Sequence, residues 1–122
     1  MKMIKNLEIT LDGKKLSVEA VNTGFFQRFT GLMFKSKEKS QILLFDNADN
    51  YAIHSFFVFF DFLILWLDDK NKVVEWRIVK PFSVYEKSKK QFSRIIEIPI
   101  NRRYYGIVNV VVGERFKKTY RL

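Results

Sequence analysis

His54 is the only histidine in the chain, and histidine is the one side chain whose ordinary pKa lies near neutral pH. Since the chain has no cysteine, a metal ion at His54 would also need two or three carboxylates. The carboxylates nearest to it in the sequence are those of Asp46, Asp49 and Asp61. A structural histidine, hydrogen-bonded at the end of a strand, needs no such set. We therefore expect no metal site, and either a structural role for His54 or a place in a binding site.

No catalytic constellation is recognisable in the sequence. Ser55 and Ser93 do not lie in a Gly-x-Ser-x-Gly turn, and no base is spaced to activate them. The glycines are isolated from one another, so no glycine-rich phosphate loop is present. Asp61 could form a carboxylate pair with Asp46 or Asp49, but solvated loop acids explain the same residues. We assign no catalytic residue and expect no cofactor.

Cations alternate with tyrosines in three segments of the chain, as on surfaces that bind single-stranded nucleic acids. The candidate basic face consists of Tyr85, Lys87, Lys89, Lys90, Arg102, Arg103, Lys117 and Lys118. The net charge of +9 would attract a polyanion to such a face. However, no named RNA-binding motif is present, and the same lysines can protect strand edges from aggregation. Nucleic acid or another polyanion is therefore an alternative partner. The other interpretation is a basic surface that only keeps the protein in solution.

The composition predicts a single domain over residues 1–122. Hydrophobic residues make up 48% of the chain and aromatic residues 16%, which is enough for one core. The first residues lack the apolar core and the cleavage site of a signal peptide. The apolar run from Phe56 to Leu67 is shorter than the roughly 20 residues of a membrane-spanning helix. We expect a cytoplasmic protein with no membrane segment, either a monomer or a weak homodimer.

The elements that must position these residues are mostly strands. The segment from Ile53 to Asp68 carries apolar side chains at both alternating positions, which is typical of a strand buried on both faces. Asp12-Gly13 separates two alternating segments and predicts a tight hairpin turn. Further strands are predicted at 42–45, at 53–60 and 62–67 with a bend near Asp61, and at 73–79, 95–99, 107–112 and 115–122, with a short helix at 25–30. About eight short strands and one or two short helices indicate a mainly β fold, a small antiparallel sandwich or barrel.

Five short motifs in a fixed order resemble a known family. They are Arg28-Phe29-Thr30-Gly31-Leu32-Met33-Phe34, Ile53-His54, Phe56-Phe57, Leu67-Asp68 and Lys80-Pro81. In this order they are similar to the archaeal branch of the family called domain of unknown function 192, over residues 21–113. The resemblance implies a mostly β fold with jelly-roll character, in which a short helix delivers Gly31-Leu32-Met33 to the core. The family has no assigned activity.

The chain departs from this family at three positions. Asp61-Phe62-Leu63 stands where the family usually has Pro-x-Asp, and Phe59 stands where its members tend to carry a basic side chain. Asn101 replaces the usual glycine after Pro99, a mild change because asparagine tolerates a left-handed turn. If the polar residues of the family's central strand form a site, this chain has lost much of it.

The candidate ligand-binding residues are His54, Asp61, Lys80 and Trp76. His54 and Asp61 are seven residues apart, which places them on opposite faces of a regular strand, and we expect no acid–base pair between them. Trp76 alternates with Glu75 and Arg77 and belongs on the inner face. The sequence favours a non-catalytic binding or interaction module with an unknown ligand. The alternatives are polyanion binding and an enzyme of unidentified chemistry.

Overall fold

A computed structural model describes residues 3–22, 36–46, 58–81 and 88–113. Within them, six strands form one sheet, accompanied by a 3₁₀ turn and an α-helix. The strands are β1 (Met3–Leu11), β2 (Lys14–Asn22), β3 (Leu43–Phe45), β4 (Phe62–Leu67), β5 (Val73–Val79) and β6 (Arg94–Pro99). The 3₁₀ turn spans Arg102–Tyr104, and helix α1 spans Tyr105–Val112. The prediction of a mainly β fold is confirmed.

The strands lie in the order β1-β2-β3-β6-β4-β5. All neighbouring strands are antiparallel except β2 and β3, which are parallel. The sheet curls until its two edge strands approach each other at one end, where the Thr10 N–H donates to the Asn71 carbonyl at 3.0 Å. Thr10 and Lys72 form the one isolated bridge found between these edges in the described part of the chain. The sheet is therefore a half-barrel that is closed at this end.

The hairpin turn predicted at Asp12-Gly13 is confirmed, and a second hairpin turn joins β4 to β5. Asp12 and Gly13 have φ angles of 49° and 79°, the left-handed values that a type I′ turn needs between β1 and β2. In the β4–β5 turn, Asp68 Oδ1 accepts the N–H groups of Lys70 and Lys72, each at 2.9 Å. The hydrogen bond from the Lys72 N–H is the main reason why the pKa of Asp68 is lowered. This carboxylate therefore stabilises the turn by accepting two of its backbone N–H groups.

Both faces of the sheet are buried at its centre, as the apolar pattern of the central strand predicts. All six residues of β4 are buried. Its inner face packs with residues from β1, β2, β6 and α1, and the inner members from β4 are Leu63, Leu65 and Leu67. Its outer face belongs to a second apolar cluster, and the outer members from β4 are Phe62, Ile64 and Trp66. The sheet therefore separates two apolar cores.

Helix α1 shows that the strand predicted at Ile107–Val112 is wrong. A run of β-branched residues favours a strand by propensity alone. In the structure, Val108 and Val111 are buried in the inner core, and their spacing of three residues is that of one helix face. Packing against the curled sheet thus outweighs the local preference. Gly113, with φ of 80°, follows the helix and donates its N–H to the Asn109 carbonyl at 2.8 Å.

The strand predicted at 53–60 is wrong over its described part. Val58, Phe59 and Phe60 are not in a strand, because the chain bends at Phe60 and β4 begins at Phe62. The predicted helix at 25–30, the Gly31-Leu32-Met33-Phe34 segment and the last strand at 115–122 lie outside the described residues. Eight strands and a sandwich are not confirmed, since the described residues form one sheet of six strands. None of the helices in the described residues has the length and hydropathy of a membrane span.

Candidate functional site

Asp61 and Lys80, two of the predicted ligand-binding residues, form an ion pair. Asp61 precedes β4 and Lys80 follows β5, so the pairing of Phe62 with Val79 sets them side by side. Lys80 Nζ donates to Asp61 Oδ2 at 2.9 Å, and the Asp61 carbonyl accepts the Ile100 N–H at 3.1 Å. Because the lysine side chain is 68% exposed, the ion pair is worth about 1 kcal/mol or less.

Trp76 lies on the inner face, as predicted, but the structure does not bring it to this ion pair. It stands opposite Leu65 and packs, half-buried, against the inner core. It precedes Lys80 by four residues, which is about 13 Å along a strand. His54 lies outside the described residues, so its placement on the face opposite Asp61 stays a prediction. That prediction assumes a regular strand through Asp61, whereas β4 begins at Phe62.

Glu75 is the centre of a polar cluster on the outer face of β5 that sequence reasoning missed. The Ser88 hydroxyl donates to Glu75 Oε1 at 2.5 Å, and Arg77 Nη2 donates to Glu75 Oε2 at 2.8 Å. The Arg77 guanidinium also lies 5.2 Å from the centroid of the buried Trp66 ring. Burial raises the pKa of Glu75, but the hydrogen bonds from Ser88 and Arg77 leave it below the ordinary value of 4.5. The alternation Glu75-x-Arg77 was the available signal, since it places both charges on one face of a strand.

Arg94 and Asp46 join three parts of the sheet at its closed end. Arg94 Nε donates to Asp46 Oδ1 at 2.7 Å, and its Nη1 donates to Asn71 Oδ1 at 2.9 Å. Lys5 Nζ lies 3.7 Å from Asp46 Oδ2. Asp46, a candidate metal ligand in the sequence, is thus engaged by two cations. Within residues 3–22, 36–46, 58–81 and 88–113, no group of three His, Cys, Asp or Glu side chains could hold a metal ion.

The predicted basic face has its described members in two places. Lys89 and Lys90 are exposed beside β5, where the Lys90 N–H donates to Ser88 Oγ at 3.0 Å. Arg102 and Arg103 are exposed in the 3₁₀ turn. The other members, Tyr85, Lys87, Lys117 and Lys118, lie outside the described residues. Convergence of all these residues on one face stays a prediction.

A groove of about 280 Å³ lies between β2 and the 3₁₀ turn. It is lined by Ile4, Glu19, Ala20, Val21, Gln41, Ile42, Arg103 and Tyr104. It exists because β2 pairs with β3 only through Val21 and Asn22, so that the segments preceding this contact separate. The 3₁₀ turn supplies the remaining wall of the groove.

The groove combines an apolar floor with two exposed charged residues, the cation Arg103 and the acid Glu19. Ala20, Val21 and Ile42 are buried apolar residues that line the groove. The exposed guanidinium of Arg103 lies 5.7 Å from the centroid of the Tyr104 ring, within the range of a cation–π contact. This arrangement suits an apolar group that carries a negative charge at one end. Of the lining residues, only Arg103 was indicated by the sequence, as part of the basic face.

Asn101 holds the 3₁₀ turn against the segment that precedes β3. Its side chain is fully buried, and Nδ2 donates to the carbonyls of Lys37 at 2.7 Å and Ser40 at 3.3 Å. Its φ of −131° is extended, so the left-handed turn expected at this position is wrong. The residue contributes its side-chain amide, which a glycine could not supply. This amide fixes the position of Arg103 and Tyr104 at the groove.

Together, the fold and the groove define a small, mainly β protein with a ligand-sized groove beside an incompletely paired strand. The chain belongs to the family DUF192, described as an uncharacterized ACR, whose profile matches residues 7–116. The resemblance seen in the five sequence motifs is therefore confirmed. The family description indicates no specific function.

Two curated relatives are similar to this chain. A UPF0127 protein of Thermococcus gammatolerans is 31% identical over 86 residues, which are 68% of this chain and 55% of the relative. A UPF0127 protein of Thermococcus kodakarensis is 35% identical over 80 residues, which are 62% of this chain and 50% of the relative. The chain thus spans about half the length of these relatives. No solved structure matches it.

Proposed function

We propose that the protein is a non-catalytic binding module whose ligand lies in the groove beside β2. The observation that carries the proposal is the groove itself, an apolar floor with one exposed cation at its rim. Its volume of about 280 Å³ is near the lower end of small-ligand pockets, which are mostly lined by apolar side chains with a few polar groups. A ligand of this size is a small organic anion or a short part of a larger molecule.

Binding is favoured over catalysis by the engagement of three partly buried carboxylates, those of Asp46, Asp61 and Glu75. Arg94 holds Asp46, Lys80 holds Asp61, and Arg77 holds Glu75, each at 2.9 Å or less. A general acid needs a carboxyl whose pKa is raised toward the working pH. Among these three, the pKa of Glu75 is lowered, which is the opposite direction. Carboxylates held in this way stabilise the fold rather than transfer protons.

The proposal extends to the architecture of the module. The outer face of β4 is buried, and its cluster includes Val58, Phe60 and Phe92 from outside the strands. A sheet buried on both faces is what a two-layer sandwich requires, and this supports a sandwich with jelly-roll character. We take residues 1–122 as one domain that acts in the cytoplasm as a monomer or a weak homodimer.

Two-dimensional NMR with small carboxylates that carry an apolar or aromatic group tests the proposal. We expect amide shift changes centred on Glu19, Val21 and Arg103. Arg103→Gln should weaken binding, whereas Arg102→Gln, in the same turn but outside the groove, should not. Absence of any shift change at millimolar ligand, or equal effects of the two variants, would contradict the proposal.

Polyanion binding is the second candidate function. It is favoured because Lys89, Lys90, Arg102 and Arg103 are exposed and form no ion pair within the described residues. Binding through such cations must weaken steeply with salt, since each neutralised phosphate releases counterions. Retention on a nucleic-acid column should then fall with added salt, and Arg102→Gln and Arg103→Gln should weaken retention equally. No retention at low salt would remove this function.

A further inference from the structure

We propose that the ligand of the groove is an extended peptide that pairs with the open edge of β2 and places a carboxylate beside Arg103. This inference rests on the proposed function of the groove and names its ligand class. It combines three observations: an unpaired row of backbone groups, the continuity of that row with the groove, and the charge around it.

The open edge is the side of β2 that faces away from β1. The Val21 N–H donates to the Ile42 carbonyl at 2.8 Å, on the side of β3. Because backbone direction alternates along a strand, the N–H and carbonyl groups of Glu19 and Ser17 point the same way. β3 pairs with β2 only at Val21 and Asn22. No residue in the described part of the chain pairs with Glu19 or Ser17 on this side.

The same residues continue into the groove. Glu19, Ala20 and Val21 belong to the open strand and also line the cavity. A peptide added along β2 would therefore run directly over the apolar floor. Its side chains would point alternately to the two faces of the sheet, and one of them would enter the cavity. Strand addition gives affinity through the backbone, and the groove gives selectivity for an apolar side chain.

The charges around the groove favour a carboxylate, because Arg103, Lys37 and Lys39 outnumber the acids Glu19 and Glu38. Arg103 uses its guanidinium for the Tyr104 ring and for one long contact of 3.4 Å to the Glu38 carbonyl. A guanidinium carries five N–H donors, so most of them remain available to a ligand. A carboxylate accepts two of these in the bidentate geometry that arginine favours. Two further exposed cations, Lys37 and Lys39, lie with the exposed acid Glu38 between them on the segment that leads to the groove residues Gln41 and Ile42.

Proline substitution tests the backbone pairing without changing the ladder to β1. Ser17→Pro removes an N–H that points away from β1, and an edge strand tolerates proline there. Glu8→Pro is the matched control, because Glu8 is the partner of Ser17 and its N–H lies on the opposite edge of the hairpin. NMR spectra of both variants show whether the hairpin is retained. Arg103→Gln provides a third variant that leaves the strand intact.

The probes are seven-residue peptides of alternating valine and aspartate with a free C-terminus, and matched peptides with lysine in place of aspartate. We expect the acidic peptides to bind and to shift the amide resonances of Ser17 and Glu19. Ser17→Pro should weaken binding about fivefold, the worth of one hydrogen bond, and Glu8→Pro should leave it unchanged. Arg103→Gln should abolish the preference for acidic over basic peptides.

Three outcomes would overturn the inference. If small carboxylates bind in the groove and no peptide binds, the peptide is rejected as the ligand and the proposed function is retained. Absence of binding by both kinds of probe would remove the proposed function as well. Concentration-dependent dimerisation that Ser17→Pro abolishes would show that the edge is covered by a second copy of this chain and not by a partner peptide.

Discussion

The strands β4 and β2 use their backbones in opposite ways. β4 is paired along its whole length with β5 on one side and β6 on the other, and all six of its residues are buried. β2 is longer, but beyond its hairpin with β1 it pairs only through Val21 and Asn22. Four of its nine residues, including Ser17 and Glu19, are exposed. The first strand has no backbone group left for a ligand, whereas the second has a row of them.

Under the proposed function, this difference separates the residues that stabilise the sheet from those that bind the ligand. Every substitution in β4 opens one of the two apolar cores, because its side chains enter the inner and the outer cluster alternately. Substitutions at the exposed residues of β2, such as Ser17 and Glu19, disturb neither core. A binding surface can therefore change on β2 without loss of the fold, which is common where a rigid scaffold carries a site.

The largest expected effect is the truncation of a buried side chain in β4. Leu65→Ala should lower the free energy of unfolding by about 2–5 kcal/mol, since Leu65 is fully buried and the cavity cannot collapse between two neighbouring strands. Ser17→Ala on β2 should change it by about 0.5 kcal/mol or less. Urea titrations of both variants measure the difference. Similar losses in Leu65→Ala and Ser17→Ala would mean that β4 and β2 do not differ in their contribution to stability.

Arg94 should give the next largest effect, because it connects Asp46, after β3, to Asn71, in the β4–β5 turn. Arg94→Ala removes the contacts to Asp46 and Asn71 and should cost about 1–3 kcal/mol. Lys5→Ala is the control, since its contact to Asp46 is longer, at 3.7 Å, and its side chain is 47% exposed. That variant should cost about 0.5 kcal/mol or less. Equal losses in a denaturant titration would show that Asp46 is not held chiefly by Arg94.

A smaller loss is expected at the turn of the β1–β2 hairpin. Gly13→Ala places a Cβ at φ of 79°, where a side chain is strained although no neighbouring atom is in the way. The cost should be about 1 kcal/mol, and the ends of β1 and β2 should exchange their amide protons faster. Hydrogen exchange of β4 should stay unchanged. Faster exchange in β4 as well as in the hairpin would show that the sheet opens as one unit and that the hairpin does not open separately.

The sequence predicts what depends on apolar periodicity and turn chemistry. The pattern at Phe62–Leu67 predicts a doubly buried strand, and Asp12-Gly13 predicts the hairpin, because each depends on neighbouring residues only. Helix α1 could not be predicted, since its β-branched residues favour a strand and only the curled sheet stabilises them as a helix. The groove was equally hidden. It depends on the separation of β2 from the segment before β3, a long-range feature that leaves no local pattern.

The smallest effect should appear in acid, on the β4–β5 side of the sheet. The pKa of Glu75 is lowered in the folded protein, so the folded state binds fewer protons than the unfolded chain. The stabilisation by this cluster is therefore fully present above the ordinary value of 4.5 and is lost as the pH falls through the lowered pKa. Glu75→Gln should be less stable than the natural protein at pH 7, and the difference should vanish in acid. Asp68 titrates in both proteins, so its own lowered pKa cancels from the comparison.

Ser88→Ala tests whether the hydrogen bonds cause this shift. Loss of the hydroxyl that donates to Glu75 should raise the pKa of that carboxyl toward 4.5. Ser88→Ala should therefore lose less stability in acid than the natural protein does. The loss should begin at the same pH in both proteins, because the unfolded chain is the same at Glu75. Denaturant titrations from pH 7 to about pH 3, converted to free energies of unfolding, supply the curves. Carboxylate binding in the groove at pH 7 should be the same in all three proteins, because Glu75 lies on β5 and not among the groove residues. Parallel stability curves for the natural protein and Glu75→Gln would show that the cluster contributes nothing that depends on pH. Altered binding would show that the two regions are coupled after all.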